Sequence, residues 1–475
     1  MAENIEEFYK EYDERENIEF TPQNNERISL PCIWVSEIFP PSQISNFYMK
    51  AKELGWEDDC ISLNSDFTDQ VAKMRVNGLC GWLNLGIIYN KDNNSVFRER
   101  VAELPQYVKY VHCCIIQPFP SATIAVFQFI FDEYVSDIVN EVLYERIKSD
   151  VEVYGTRIVN RGVFWKKKLR IKTEREYIKS LCTEWVANTF PGVFANVFAR
   201  KYPTVDILLF QEYRPCLKKD NKQEYIRLFD LGDRFESWQC SKLEKLYLNK
   251  KYYDEPDGYN LTLYCNINDL NDKDEFKHYC GDVKDKLTSY LVDFSNNVAL
   301  YAMFYCVKMI QNAYFELRDM VNQLFIEDEP ELKQIYTMYS KMNELQLTFI
   351  VFLKDYLHYF KNKNAFIFRD IFHFSRTITF TRKVYKDFLI ERDSEVMNGI
   401  ASEAMKLDKE MNVILDRSIS LANAIYNNKA SRVNIKIQKS MLLLTVALLL
   451  FSVVVGLKDY NIPQLVKTFI SNLLQ

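Results

Sequence analysis

The feature that most constrains this sequence is an uncharged apolar run between Lys439 and Lys458. Its eighteen residues are interrupted by only two serines, one threonine and one glycine. As a helix the run would be ~27 Å long, close to the hydrocarbon thickness of a bilayer. A buried core helix is the alternative, but such helices are normally amphipathic. The run therefore predicts a single transmembrane helix over residues 440–457.

The charges around this run predict its orientation. The basic residues before it are Lys429, Arg432, Lys436 and Lys439, and those after it are Lys458 and Lys467. By the positive-inside rule the N-terminal bulk lies in the cytoplasm, so we expect a single-pass protein of the cell membrane with membrane lipid as one partner. The first residues, MAENIEEFYKEYDERE, contain no apolar signal-peptide segment, and residues 1–26 are expected to form an acidic flexible N-terminus.

Composition narrows the class of protein further. A net charge of -5 argues against nucleic acid as a partner. Eleven cysteines without regular spacing are typical of a reducing compartment. Because 48% of the residues are hydrophobic and 15% are aromatic, the chain should fold into a packed domain.

Glycine and proline divide the chain unevenly. Residues 1–282 hold ten of the twelve glycines and eleven of the thirteen prolines. Such turn-forming residues, followed by chain that nearly lacks them, predict an α+β or α/β cytosolic domain over 27–282 and a helical stalk over 283–439. The predicted strands are 29–39, 107–119, 122–133, 205–213 and 261–268, and the predicted helices are 42–56, 135–155 and 173–190.

A heptad pattern runs along the end of the stalk. Its apolar positions are Met397, Ile400, Ala404, Leu407, Met411, Ile414, Leu421 and Ile425, with Ser418 in the same register. Alternating steps of three and four residues predict a helix that packs on another helix. We interpret these residues as the seam of a homo-oligomer, and packing within the same chain is the alternative.

The usual motifs of catalysis and cofactor binding are missing from the sequence. It contains no GxxxxGK[ST], HExxH or GxSxG motif and no spaced pair of CxxC motifs. We therefore expect no enzymatic activity, no cofactor and no bound metal.

A basic segment between Arg157 and Arg175 is the first candidate binding site. The residues that could bind an anionic surface are Trp165, Lys166, Lys167, Lys168, Arg170 and Lys172. Aromatic residues beside lysines suit a membrane headgroup surface or a phosphate of RNA or a nucleotide. A solvated helix start between two elements is the third interpretation.

A polar stripe on the helix that enters the membrane is the second candidate site. Steps of three and four residues connect Asn427, Ser431, Asn434, Gln438, Met441, Thr445, Leu448 and Ser452, and six of the eight are polar. Polar side chains in a span face other helices or water, so the stripe predicts a pore lining or a helix–helix seam. Ordinary interfacial residues are the alternative. Residues 458–475 are predicted to form an amphipathic tail.

The stretch YNNKASRVNIKIQKSMLLLTVALLL, at 426–450, resembles the junction between stalk and first span in the CorA-type magnesium transporters. The similar positions are Tyr426, Ser431, Asn434, Lys439 and Thr445. The resemblance implies an oligomeric assembly of cytosolic domain, stalk and span. It does not imply magnesium selectivity, because VVVGLKDYN stands where the family has Gly-Met-Asn and the second span is missing or reduced to the tail.

These features predict a membrane-anchored, homo-oligomeric sensor or effector with a CorA-like layout. Whether it conducts ions stays open at this point. The alternative is a non-conducting single-pass adaptor whose cytosolic domain binds a partner.

Overall fold

A computed structural model describes residues 2–22, 25–54, 56, 67–77, 81–91, 100–154, 157–214, 224–231, 237–250, 260–270, 274–326, 332–361, 371–377, 384–456 and 471. The chain divides into two compact units. Unit 1 consists of Met1–Tyr314 and Leu345–Leu407, and unit 2 of Phe315–Glu344 and Asp408–Gln475. The expected boundary at 282/283 differs from this division, because helices and strands that follow residue 283 belong to unit 1.

The described elements alternate between strands and helices up to residue 290. The helices are α1 (Ala2–Glu19), α2 (Ile44–Glu53), α3 (Phe67–Val76), α4 (Glu133–Tyr144), α5 (Val163–Thr189), α6 (Val193–Asn196), α7 (Val283–Tyr290), α8 (Ser295–Ile326), α9 (Leu332–Lys361) and α10 (Leu389–Gly456). The strands are β1 (Ile28–Ser29), β2 (Cys32–Phe39), β3 (Gly81–Asn90), β4 (Arg100–Ala102), β5 (Val108–Phe119), β6 (Ala122–Phe131), β7 (Asp150–Tyr154), β8 (Arg157–Arg161), β9 (Thr204–Phe210), β10 (Ser237–Cys240), β11 (Tyr247–Lys250), β12 (Asn260–Asn266), β13 (Phe374–Thr377) and β14 (Val384–Phe388).

One mixed sheet contains twelve of the described strands. Its order is β14-β13-β10-β11-β12-β9-β2-β6-β5-β3-β4, and β1 pairs with β9 beside this path. The pairs β9–β12 and β3–β4 are parallel, and the other described pairs in the sheet are antiparallel. Together with the long helices and the apolar end of α10, this architecture confirms the predicted fold class.

Both faces of the central strands are covered. Every residue of β2, β6 and β9 is buried, so these strands lack the alternation of a sheet with one wet face. On one face, Phe127 and Phe129 contact the ring of Trp185 in α5 at centroid distances of 5.7 and 5.6 Å. On the other face, the side-chain amide of Gln128 donates to the carbonyl of Thr288 in α7 at 3.0 Å. The sheet is therefore an inner layer between helices.

All five predicted strands and the helix over 42–56 are present. The predicted helix over 135–155 is wrong in its second half. Helix α4 ends at Tyr144 because Glu145 is extended, and the alternating sequence that follows forms β7. The predicted helix start at Thr173 is also wrong, because α5 begins at Val163 and Thr173 lies inside it, donating to the carbonyl of Leu169 at 2.9 Å.

The N-terminal segment is helical over Ala2–Glu19, where the sequence analysis expects flexible chain. Asn17 holds it to unit 1, donating to the carbonyl of Ile147 at 2.7 Å and accepting from its N–H at 3.0 Å. The carboxylate of Asp13 accepts from the N–H of Ser149 at 3.0 Å. Asp13 therefore serves as an acceptor for a backbone N–H group outside its own helix.

Two short strands interrupt the segment that was expected to be a purely helical stalk. Strand β13 pairs with β10 of the main sheet, and β14 pairs with β13. In unit 2, the described residues Leu317, Val321, Ile335 and Met342 are buried. Helix α10 begins directly after β14 and continues to Gly456 as one helix of 68 residues.

Candidate functional site

The apolar run forms the last part of α10. Its 18-residue window has a mean hydropathy of 1.6, and none of that window is buried. Large side chains such as Leu443 and Phe451 are 71% and 67% exposed. A core helix of a soluble protein would bury these residues, so α10 is a helix that is long and apolar enough to cross a membrane. The predicted amphipathic tail, 458–475, lies almost entirely outside the described residues.

The polar stripe splits into two parts on α10. The residues before the apolar run are Asn427, Ser431, Asn434 and Gln438, and those within it are Met441, Thr445 and Ser452; all are exposed. Within the run, the hydroxyl of Thr445 donates to the carbonyl of Met441 and that of Ser452 to the carbonyl of Leu448, each at 2.8 Å. These two hydroxyl protons thus have acceptors inside their own helix and need no neighbouring helix or water.

The predicted oligomer seam also splits. Met397, Leu407 and Met411 are buried within the chain, Ile400 is half-buried, and Ile414, Leu421 and Ile425 are 36%, 56% and 37% exposed. The burial of these three residues within one chain favours the alternative, and the intermolecular seam stays a prediction for them. The alternative, packing within the chain, describes them, because α10 turns these side chains towards other elements of its own chain.

Burial differs along the predicted seam because the buried face of α10 does not fully coincide with the heptad positions. Its buried positions continue as Ala401, Ala404, Leu415, Ser418 and Ala422. Ile414, Leu421 and Ile425 lie beside this face and remain accessible to a second helix. They form the part of the seam that is still available to an oligomer.

Each of the three consecutive lysines in the basic segment binds a group of unit 1. The ammonium of Lys167 is buried and donates to the hydroxyl of Thr21 at 2.8 Å and the carbonyl of Leu143 at 3.1 Å. Burial lowers the pKa of Lys167 to about 8. Lys166 pairs with Asp150 at 2.8 Å, and Lys168 pairs with Asp230.

The remaining residues of this candidate site behave differently from one another. Arg170 pairs with Glu145 at 2.5 Å. Trp165 is 63% exposed, and the ammonium of Lys168 lies 5.6 Å from its ring centroid. Lys172 lies on the wall of a separate cavity. Most cations of the candidate site are therefore held by carboxylates or carbonyls of the same unit, and binding of an anionic surface by this segment stays a prediction.

A buried charge cluster lies further along α5. Asp206 on β9 is fully buried and accepts from Nε and Nη2 of Arg175 at 3.1 and 2.7 Å and from the hydroxyl of Thr262 at 2.7 Å. The ammonium of Lys179 is 3.4 Å from the same carboxylate. Burial alone would raise the pKa of Asp206, but the charges of Arg175 and Lys179 outweigh it and hold the pKa at about 2. Asp206 is therefore ionised.

This cluster adjoins a cavity of about 450 Å³ in unit 1. Among the described residues, four cationic residues line it, Lys172, Lys179, Arg200 and Lys201, together with one carboxylate, that of Glu176. The cavity also contains Ser180, Thr183, Tyr202, Thr204 and Asn260, so it lies at the first residues of the parallel strands β9 and β12. Its volume falls within the range of small-molecule sites.

Sequence reasoning missed this cavity because its cations are far apart in the chain. Lys172 and Lys179 come from α5, whereas Arg200 and Lys201 come from the turn before β9. The sequence signal for this cavity is the adjacent pair Arg200 and Lys201, which lies shortly before the buried strand β9. Among the described residues, no group of three His, Cys, Asp or Glu side chains could hold a metal ion.

Comparison with other proteins adds no functional assignment. No protein-family model matches the chain, and no curated protein matches it either.

Proposed function

We propose that this protein is a single-pass membrane-anchored adaptor, whose unit 1 lies in the cytoplasm and binds a soluble partner or ligand without conducting ions. The observation that carries the anchoring is the apolar end of α10, which is exposed throughout its most hydrophobic window. Membrane lipid is the environment that would cover such a surface without any further protein contact.

The hydrogen bonds within the run favour the adaptor over the conducting alternative. A hydrated lane is not required to satisfy the hydroxyl protons of Thr445 and Ser452, because both donate to carbonyls of their own helix. Asn434 and Gln438 are exposed, and both precede the apolar run. They suit the headgroup region, where polar side chains remain hydrated.

We further propose that copies of this protein associate through the exposed residues Ile414, Leu421 and Ile425. These residues recur at steps of seven and four on one side of α10, and they are large apolar side chains that unit 2 leaves exposed. The resemblance of 426–450 to the CorA junction supports an oligomer in the same sense.

The anchoring is tested by membrane fractionation followed by extraction at alkaline pH. Changing Leu444 and Leu448 to Arg places two charges near the middle of the run, each costing about 2.5–3.5 kcal/mol on insertion scales. We expect this variant to be released, while the native chain stays in the pellet until detergent is added. The matched control changes Val413 and Val433, which are 49% and 54% exposed outside the run, to Arg and should stay in the pellet. Retention of the Leu444/Leu448 variant after alkaline extraction would contradict the anchoring.

Ion conduction is tested separately with the native chain in liposomes. We expect no K⁺ or Mg²⁺ flux above that of empty liposomes. Flux that disappears when Asn434 and Gln438 are both changed to Leu would refute the non-conducting adaptor and establish the conducting alternative.

A further inference from the structure

We infer that the basic cavity of unit 1 binds a small, multiply charged, phosphate-bearing anion. In the part of the chain that the structure describes, four cations and one carboxylate line the cavity, whereas the chain as a whole carries a net charge of -5. A local excess of positive charge against the sign of the whole protein concentrates anions at that place. The inference goes beyond the proposed anchoring and stands whether or not α10 crosses a membrane.

Lys179 is the innermost cation, and its two neighbouring carboxylates are farther away than an ordinary hydrogen-bond acceptor. Lys179 is 5% exposed, and its ammonium lies 3.4 Å from Asp206 and 3.8 Å from Glu176. Both distances exceed the 2.7–2.9 Å that is usual for a charge-assisted hydrogen bond. Arg175 already donates two hydrogen bonds to the oxygen of Asp206 that is nearest Lys179, and Thr262 donates to the other oxygen. An anion in the cavity could therefore approach Lys179 more closely than either carboxylate does.

The two outer cations, Arg200 and Lys201, lie on a backbone turn with an unusual conformation. Ala199 and Arg200 have φ values of 51° and 62°, in the left-handed region that residues with a side chain seldom adopt. Two hydrogen bonds hold the turn, from the N–H of Arg200 to the carbonyl of Phe194 at 2.9 Å and from that of Lys201 to the carbonyl of Phe198 at 3.0 Å. Such strain is typical of functional sites. Here it fixes two consecutive cations beside the cavity.

The chemistry of the walls selects the ligand class. Arginine and lysine bind phosphate oxygens through charge-assisted hydrogen bonds, and four such residues suit an anion with several charges better than a single carboxylate. The hydroxyls of Ser180 and Thr183 donate to the carbonyls of Tyr177 and Ser180, and that of Tyr202 donates to Glu37. Binding therefore depends on the cations. The phosphate could belong to an inorganic or nucleotide anion or to a lipid headgroup, and these sources share the same chemistry.

The experiment is calorimetric titration of the full chain in uncharged detergent. The probes are inorganic pyrophosphate, ATP, inositol 1,4,5-trisphosphate as a soluble headgroup, and adenosine as an uncharged control. The test variant is Arg200→Glu/Lys201→Glu, since both residues are exposed and neither is part of the buried cluster. The matched control is Lys109→Glu/Lys277→Glu, which makes the same charge change at exposed positions of unit 1 outside the cavity.

We expect at least one phosphate probe to bind saturably with one site per chain, and adenosine not to bind. The control variant should bind like the native chain, and Arg200→Glu/Lys201→Glu should bind at least tenfold more weakly with an unchanged circular dichroism spectrum. The tightest probe identifies the source: pyrophosphate a free phosphate, ATP a nucleotide, and the inositol phosphate a headgroup. Three results would overturn the inference: no probe binding up to millimolar concentration, equal binding to all three proteins, or adenosine binding as tightly as ATP.

Discussion

Breaking the buried ion pair between Arg175 and Asp206 should cost unit 1 much of its stability. In Arg175→Met the aliphatic volume of the side chain is largely kept, but the carboxylate of Asp206 loses both guanidinium hydrogen bonds. Removing one partner of a buried pair typically costs about 3–5 kcal/mol, because the other charge stays buried without compensation. The hydrogen bond from Thr262 and the more distant ammonium of Lys179 remain, so we expect a loss near the lower end of that range.

The lowered pKa of Asp206 links this pair to the pH dependence of stability. Its pKa is lowered from the ordinary 3.8 to about 2. A lowered carboxyl pKa contributes stability that is present above pH 3.8 and is lost as the pH falls towards 2. At about 1.4 kcal/mol per pKa unit this contribution is on the order of 2–3 kcal/mol at neutral pH.

The assay is urea unfolding of the full chain in uncharged detergent, followed by the fluorescence of its tryptophans. A double-mutant cycle combines Arg175→Met with Asp206→Asn, which removes the negative charge. We expect the double variant to be more stable than the sum of the two single losses by at least about 1 kcal/mol, since the uncompensated charge is then gone. A loss below about 1 kcal/mol for Arg175→Met, or full additivity in the cycle, would refute the assignment of this pair as a buried, coupled ion pair.

Three further predictions address packing, pH and backbone space. Leu407→Asp should destabilise the fold by several kcal/mol, because Leu407 is buried. Ile414→Asp should leave the unfolding midpoint nearly unchanged but lower the oligomeric mass measured by light scattering. The same mass for the native chain and Ile414→Asp would contradict the proposed interface. Burial lowers the pKa of His112 to about 4, so stability should fall by up to about 3 kcal/mol as the pH drops from 6.5 to 4, and thermal unfolding of His112→Gln should show a smaller fall. Gly192→Ala should lower the unfolding temperature, because a Cβ there would lie 2.5 Å from the carbonyl oxygen of Ile38. Gly399→Ala, in the open part of α10, should raise stability by about 0.5–1 kcal/mol. Equal effects of the two changes would contradict this description of the space around the two glycines.

The sequence predicted the long apolar strands at the centre of the sheet. Strands β2, β6 and β9 are runs of β-branched and aromatic residues, and their composition alone distinguishes them from helices. It did not predict β3, or β11, which is buried along its whole length. It also did not predict β13 and β14, which are four and five residues long and carry no strong pattern. Their strand conformation depends on pairing with β10 and with each other, and that contact is distant in the chain.

The helix α5 shows why periodicity failed where charges are buried. Lys167, Arg175 and Lys179 occupy core-facing positions, so the apolar repeat of the helix is hidden behind three cations. The carbonyl of Leu143 and the carboxylate of Asp206 make their burial acceptable, and these partners are invisible in a single segment of sequence. The same limit applies to the basic cavity, since four cations on two separate segments are brought together only by the fold.

The positions of the strands along the chain also determine when the sheet and the apolar run are synthesised relative to each other. The sheet is completed only when β14 ends at Phe388, and the apolar run starts at Ser440, 52 residues later. At roughly 5–20 residues per second, about 3–10 s separate the last strand from the run on the ribosome. All strands of the described sheet are therefore synthesised before the apolar run. A nascent chain that stalls before β13 would carry β10 as an unpaired edge, the kind of exposed strand on which aggregation begins.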